Sequence, residues 1–499
     1  MNPRIYGSEI EYGNMPEGIF TGGQQEYGAL SSTHGIFSLF AEKTPLSQAM
    51  LTHLKRTSIN GVFLLNEARM YIDNQGHLEY STPETTNPRD LVTWEKAGER
   101  ILEKALLSLT EDHKKDGLPK HSRLRKLGGM TLVKNNTYPG AIYDLEQPTW
   151  GHHQNYLVQR SLPIEVIEKY LIPFLATEKI WNGNGMLTML QDGGGYTYLL
   201  SQRAWFIKAC NASGTTSNRS LINTRDESLA NKEKWRRFHL IANDSHMSEV
   251  ILYLDAALIG LLLEMLEERF LDQNNSPVLP VNGYGEEILR LHAGSNYDLT
   301  FKKTFYLGGQ NLSPRDIQIM YFEAMDEYRR KRGVDPQFEE ALDRFKSILE
   351  KIERASATPE PEKILRRECD WAAKLDLMKK GVETLGWPIN EFQNPFITLP
   401  RGKETGSEPK ELRDKLYSIE INFHDIRRDK GSHYLLEQAG LRERILREEE
   451  IEYAQTHPPR DTRALVRRKL QNKAVSQDCT VVSWSWDHVE AGTPIKDGG

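Results

Sequence analysis

Leu65-Asn-Glu-Ala-Arg-Met-Tyr-Ile-Asp-Asn-Gln-Gly-His-Leu-Glu-Tyr-Ser-Thr-Pro-Glu84 is the stretch on which the reading of this chain turns. It sets Asp73, Glu79 and Glu84 on or beside a short extended run, with Tyr71, His77 and Tyr80 between them. A second acidic pair, Glu9 and Glu11, stands in Gly7-Ser-Glu-Ile-Glu-Tyr-Gly13. Side chains two apart on a strand leave from the same face. Two such strands side by side make an oxygen-lined cradle, which hard cations and the phosphates they hold require.

Glu9, Glu11, Glu79 and Glu84 are therefore candidate magnesium ligands, because Mg2+ takes oxygen donors and is often shared between carboxylates and nucleotide phosphates. Any one of them alone reads more simply as an exposed carboxylate; two clusters with interleaved aromatics weigh toward a site. Asp73 is the candidate reactive carboxylate, able to deprotonate an amine or attack a carbonyl or phosphoryl centre. Its bland alternative, a turn aspartate ahead of Asn74-Gln75-Gly76, is the one the residues alone favour.

Three further sets carry polar chemistry. Lys134-Asn-Asn-Thr137 and Gly151-His-His-Gln-Asn-Tyr156 suit the lining of a nucleotide site or a surface loop equally. His152-His153 is a weak metal signal, since neighbours on a strand face opposite ways. Arg203, Arg219, Arg225, Arg236, Arg237 and His239 are dense enough for an anionic ligand, although Glu233 and Glu227 also allow a salt-bridged surface. Near the C-terminus, Arg460 and Arg463 belong to a compact helical region whose arginines could complete a nucleotide or partner-tail site.

The chain's 499 residues suffice for one large core plus a smaller domain, or two or three modest ones. With 38% hydrophobic and 27% charged residues it reads as a folded globular protein. A net charge of −6 argues against general nucleic-acid binding. Cys210, Cys369 and Cys479 are odd in number and far apart, which predicts no disulfide framework and a cytoplasmic setting. The N-terminal residues lack the apolar core of a signal peptide. The most apolar run, Val250 to Met265, carries Asp255 and Glu264 and reads as a buried helix, too short and charged to span a membrane.

Periodicity predicts a strand over 3–12, a glycine-rich loop to Gly35, a helix over 37–56 and a strand over 61–71. Asn87-Pro-Arg-Asp90 opens a helix that continues over 91–109. Further helices are expected over 164–179, 249–269, 314–332, 338–351 and 364–380, with a hairpin between Asn182 and Gly195. Strands mixed irregularly with long helices indicate α+β rather than a doubly wound sheet. The polar stretch 401–410 is taken as a boundary, giving domains 1–410 and 411–499.

Taken together, these blocks resemble the family of the Pup ligase and the Pup deamidase/depupylase. The matching pieces run in family order: Gly7–Gly13, Ala68–Asp73, His77–Glu84, Lys134–Asn136, Asn155–Leu157, Ser201–Ala204, Ile222–Glu227, Arg236-Arg237 with His239, Asp370–Lys374, His424-Asp425 and Pro458-Pro459 with Thr462–Ala464. The resemblance implies a glutamine-synthetase-like domain, a curved antiparallel sheet cradling ATP (or ADP and phosphate) and Mg2+, with a small C-terminal domain. It implies chemistry at the C-terminal Gln/Glu of a small, acidic, disordered modifier, serving a proteasome-type protease, without nucleic acid or membrane.

By the same match, Glu9, Glu11 and Glu79 would hold magnesium, and Asp73 would be catalytic. Tyr71, His153, Asn155, Arg203, Arg225, Arg237, His239 and Arg463 would bind nucleotide or modifier. Tyr80–Asp90 and Val482–Asp487 look like the hydrolase branch, whereas Ser213–Thr216 and His424–Arg428 look like the ligase branch. The reading leans to an ATP-binding deamidase/depupylase, with a ligase and a binding adaptor without turnover as alternatives. Gln154 stands where the family carries Glu, His246 where it carries Asn, and Met186 where it carries Lys. These departures are expected beside the nucleotide, where they would alter metal number or turnover.

Overall fold

A computed structural model describes residues 4–16, 43–44, 61–73, 76–114, 130–137, 149–190, 194–214, 218–227, 229–272, 278, 285–390, 396–399, 409–476, 479–484 and 489–494. The helix expected over 37–56 and most of the glycine-rich loop lie outside them. Its strands up to residue 243 are β1 (Tyr6–Pro16), β2 (Gly61–Phe63), β3 (Arg69–Ile72), β4 (Leu78–Ser81), β5 (Met130–Val133), β6 (His152–Gln159), β7 (Met186–Met189), β8 (Gly195–Leu199), β9 (Ala209–Ala212), β10 (Ser220–Asn223) and β11 (Trp235–Asn243). The helices that matter most below are α1 (Pro88–Lys114), α2 (Ile164–Thr177), α3 (Glu249–Glu267), α4 (Pro361–Leu365), α5 (Asp370–Thr384), α6 (Lys410–Phe423) and α7 (Arg463–Ser476).

Nine strands form the main sheet in the order β2-β3-β4-β1-β6-β11-β10-β9, with β5 also pairing β1. All its pairings are antiparallel except β9 with β10. β1 is central because it alternates: Tyr6, Ser8, Ile10 and Tyr12 are buried, and Glu9 and Glu11 are less so. The buried side packs against helices. α3 comes close enough that a Cβ on Gly260 would stand 2.4 Å from the Tyr6 hydroxyl. α1 leans on β4 in the same way, Gly98 leaving room for the Tyr80 ring. α1 starts where Asn87 caps it, Oδ1 accepting the Asp90 N–H at 2.8 Å.

Two expected elements come out divided. The strand read over 61–71 is a hairpin, β2 turning into β3. Glu67 takes φ 64°, and the Ala68 carbonyl accepts the Leu64 N–H at 2.8 Å. Asn66 holds the turn, its side chain donating to the Tyr80 hydroxyl at 3.1 Å and accepting the Ala68 N–H at 3.1 Å. The helix read over 364–380 breaks between α4 and α5. There Arg442 donates to the carbonyls of Arg366, Cys369 and Glu368 at 2.6, 3.0 and 3.2 Å, so a C-terminal side chain takes acceptors a continuous helix would use. The boundary read at 401–410 falls largely on residues outside those described. On its far side α6 packs on α5, with Lys374 Nζ 2.6 Å from Glu420 Oε1.

Glu67 also makes a stability prediction. It is fully buried, and burial, opposed by the charges of Arg467 and Arg468, pushes its carboxyl up to about 8. A carboxyl raised on folding contributes its full stability below its ordinary value of 4.5, and that contribution drains away as the pH rises toward the folded-state value. Glu67→Gln escapes this loss. Its melting temperature is expected to overtake that of the parent progressively between pH 5 and 8, and a pH-independent difference in a thermal-melt series would contradict the assignment.

Candidate functional site

Alternation in the strands sorts the polar residues onto one face of the sheet. In β6, His152, Gln154 and Tyr156 are buried behind it, and His153, Asn155 and Leu157 face forward. Register then lines the forward residues up in rows. Tyr71 lies opposite Glu79, and Glu79 opposite Glu11. Arg69, Ser81, Glu9 and His153 make the next row. Gly7, Asn155 and His239 make a third, and Leu157 with Arg237 a fourth.

These rows line a cavity of about 970 Å3, completed by residues including Asp73, Arg203, Arg219, Arg225 and, from the C-terminal region, Asp461, Thr462 and Arg463. Every residue to which the family resemblance gives a role is on its lining: Glu9, Glu11, Glu79, Asp73, Tyr71, His153, Asn155, Arg203, Arg225, Arg237, His239 and Arg463. Arg69 and Ser81 were missed, yet the period of two signals both, since Arg69 precedes Tyr71 by two and Ser81 follows Glu79 by two. Arg69 lays its guanidinium 4.7 Å from the centre of the Tyr71 ring.

The acidic wall is not uniform. Burial opposes ionisation of Glu9, but the His153 hydrogen bond and the charge of Arg237 outweigh it and hold the carboxyl below the usual range. Arg237 Nη2 donates to Glu9 at 3.0 Å, and Asn155 Nδ2 at 3.2 Å. Glu79 goes the other way: burial first, then repulsion from Glu9 and Glu11, push it well above the carboxylate range. The Tyr71 hydroxyl donates to it. Glu11 accepts the Gly151 N–H at 2.5 Å.

Two groups of three donors have their ligating atoms within 4.8 Å of one another: Glu9, His153 and His239, and Glu11, Asp73 and His77. Glu79 belongs to neither group. Burial, with the charges of Arg237 and His153, holds His239 well below the usual imidazole range, and both its ring nitrogens lack a hydrogen-bond partner among the described residues. A neutral imidazole with free nitrogens beside an ionised carboxylate is a donor set that fits a divalent cation.

The basic side is built for an anion. Arg203 is buried, and its guanidinium donates to the carbonyls of Trp150 at 2.9 Å and Ile241 at 2.5 Å. Among the described residues no carboxylate forms an ion pair with it, and burial plus the neighbouring Arg219 charge bring it down to about 10. An anion in the cavity would relieve that strain. Arg225 pairs with Glu227 at 2.6 Å. Arg463 Nε donates to Glu84 at 2.5 Å, and Arg467 grips the same carboxylate at 2.6 and 2.7 Å. Glu84, read as a metal candidate, is thus tied to the C-terminal helix α7.

Other polar residues lie elsewhere than the sequence reading put them. Lys134, Asn135 and Asn136 are neither on the cavity lining nor in a surface loop, but buried behind the sheet. The three departures are likewise buried and off the cavity lining. Gln154 donates to Asp255 at 2.7 Å and accepts from the Tyr156 hydroxyl at 2.6 Å. His246 is buried beside His152, and Met186 packs on Leu199. A residue's parity along β6 turns Gln154 away from the cavity, which a motif comparison does not register.

A family model described as Pup-ligase protein matches residues 4–490. A depupylase of Acidothermus cellulolyticus is 34% identical over 442 residues, spanning 87% of this chain and 76% of that protein. The chain belongs to the Pup-ligase family. Within that family, a Pup–protein ligase of Actinosynnema mirum is 34% identical over 434 residues, 86% of this chain and 84% of that protein. The solved structure of the Pup ligase PafA in complex with ADP matches with a TM-score of 0.68 at 26% identity, covering 87% of this chain and 85% of that one. The complex of Pup with PafA matches in fold with a TM-score of 0.74 at 24% identity, covering 97% and 86%. The α+β, glutamine-synthetase-like cradle expected of a Pup-ligase relative is the fold present.

Proposed function

We propose that this protein is an ATP- and Mg2+-dependent ligase that joins the C-terminal glutamate side chain of a Pup-like modifier to lysines of other proteins. One observation carries the reading: a single sheet face sets Glu9, Glu11, Glu79, His153 and His239 in one cavity with Asp73 and with the arginines Arg203, Arg219 and Arg237. Support for the ligase branch over the hydrolase comes from the relatives, most of which are named Pup–protein ligase, and from length, the chain spanning 84% of such a ligase against 76% of the depupylase. The hydrolase-like look of Tyr80–Asp90 weighs less than these.

In this reading the nucleotide phosphates lie against Arg203, Arg219 and Arg237, as the ADP complex of the PafA relative encourages. Glu9, Glu11 and Glu79, with His153 and His239 beside them, would hold magnesium, which when bound offsets phosphate charge. Tyr71, Asn155, Arg225 and Arg463 contact nucleotide or modifier. The modifier's glutamate oxygen attacks the γ-phosphorus, ADP leaves, and a glutamyl phosphate forms. A lysine amine then attacks the acyl carbon, Asp73 takes its proton, and phosphate leaves. The cytoplasm is the proposed setting, consistent with the free, buried Cys210 and Cys369.

Incubation with ATP, MgCl2, Pup ending in glutamate and a lysine-bearing acceptor is expected to yield conjugates and equimolar ADP on a gel. Release of Pup from ready-made conjugates without net ADP formation would overturn this in favour of the depupylase reading, for which the Acidothermus cellulolyticus relative speaks. Binding of both ligands without either product would favour an adaptor.

A further inference from the structure

The turn between β3 and β4 contains a side-chain pair that neither the cradle nor the hairpin requires. Asp73 closes that turn: its N–H donates to the His77 carbonyl at 3.0 Å, and the His77 N–H donates back to Asp73 Oδ1 at 2.6 Å. Those bonds are ordinary turn geometry. The His77 ring goes further, with Nδ1 3.2 Å from the second carboxylate oxygen, Oδ2. One residue therefore holds both oxygens, one through its backbone and one through its ring.

The ring is itself fixed. His77 is buried and lies against Trp150, with centroids 5.0 Å apart and planes 33° from each other. Trp150 precedes Gly151, whose N–H holds Glu11, so the clamp on His77 belongs to the same backbone segment that fixes the nearest carboxylate. Glu11, Asp73 and His77 bring their ligating atoms within 4.8 Å of one another. Without the ring, Oδ2 loses the hold of Nδ1 while the Glu11 carboxylate stays close by, so the side chain has cause to rotate away. A hairpin aspartate needs no buried imidazole on its second oxygen; a carboxylate that must meet a reacting amine at a set distance does.

We propose that His77 is a positioning residue for Asp73, donating from Nδ1 to Oδ2 and fixing the plane of the carboxylate that faces the cavity. The proposal rests on the reading above in which Asp73 reacts. Hydrogen bonding to Oδ2 assigns the proton to Nδ1.

The test is a set of variants in the Pup conjugation assay. His77→Ala is expected to lower kcat by about 10- to 100-fold, since a misplacement near 1 Å costs that much, with KM for ATP and Pup unchanged. His77→Asn, whose amide nitrogen can occupy the place of Nδ1, is expected to recover most of the rate, and His77→Gln, which reaches the place of Nε2, is not. A kcat for His77→Ala within about twofold of the parent, with Asp73→Ala inactive, overturns the proposal and spares the function. An active Asp73→Ala instead sinks the assigned role of Asp73. Should Pup not be turned over at all, crystal structures of the two variants decide: the Asp73 carboxylate is expected to rotate in His77→Ala and stay in His77→Asn. A carboxylate that stays put in both overturns the proposal.

Discussion

Replacing Asp73 by Asn should reduce the conjugation rate by about 10³-fold, near the upper part of the range ascribed to a positioned general base. The amide keeps the shape and much of the hydrogen bonding to His77 but cannot take a proton from the attacking lysine. Asp73 lies on the cavity lining at the end of β3, beside Glu11, while the arginines suited to phosphate come from other segments. ADP affinity is therefore expected to stay close to that of the parent. Single-turnover conjugation with ATP in excess, together with fluorescence titration of a labelled ADP, separates the two quantities. A variant retaining more than about a tenth of the parent rate would show that Asp73 is only the turn aspartate its local sequence resembles.

The largest stability effect is expected at Lys134. It is fully buried and bridges two carboxylates of α1, with Nζ 2.7 Å from Glu95 and 2.8 Å from Glu99. Lys96 adds a second ammonium 3.1 Å from Glu99, and His152 lies 3.2 Å from Glu95. Burial opposes the charge on both carboxyls. Lys134 and Lys96 nonetheless hold Glu99 down to about 2, and Lys134 and His152 hold Glu95 well below the ordinary range. Lys134→Met would leave two buried carboxylates facing each other, and removing one partner of a buried pair typically costs about 3–5 kcal/mol.

The sign with pH follows from the same groups. A carboxylate lowered on folding contributes stability above its unfolded pKa and loses it as the pH falls through the folded value. The deficit of Lys134→Met should thus be largest near neutrality and shrink in acid. Thermal melts from pH 7 down through 4.5 toward the folded value of Glu99, about 2, measure it, and Glu99→Gln in the same chain should recover part of the loss. A melting temperature unchanged at pH 7 would contradict the role given to this cluster. Because Lys134 also donates its backbone N–H to the His424 carbonyl at 2.8 Å, loss of the cluster is expected to loosen the C-terminal region with it.

Much of the site was legible along the chain because it lies on strands. Glu9 and Glu11, or Glu79 and Ser81, share a face whatever the fold, since the side-chain period of an extended backbone is two. The same rule, which separated His152 from His153, would have turned Gln154 away from His153 and Asn155, and comparing motifs without regard to parity led to the opposite expectation for it. Lys134 illustrates the other limit. Nothing in Lys134-Asn-Asn-Thr137 says that two glutamates from a helix some 35 residues earlier in the chain will surround the ammonium. The break between α4 and α5 is of this kind as well, made by Arg442 from 73 residues further along.

Local covalent geometry was enough to determine which residues could act together: acidic and aromatic side chains alternating on extended segments, helices of amphipathic period, and no membrane-length apolar helix among the described residues. Which segments meet was decided only in three dimensions. Backbone pairing sets Glu11 opposite Glu79 and Glu9 opposite His153, and β11 brings Arg237 to within 3.0 Å of Glu9 across 228 residues of chain. Strand register is selected by burying one whole face of the sheet at once, and a buried charge takes whichever partner that packing delivers; both are properties of the assembled core that no short stretch contains.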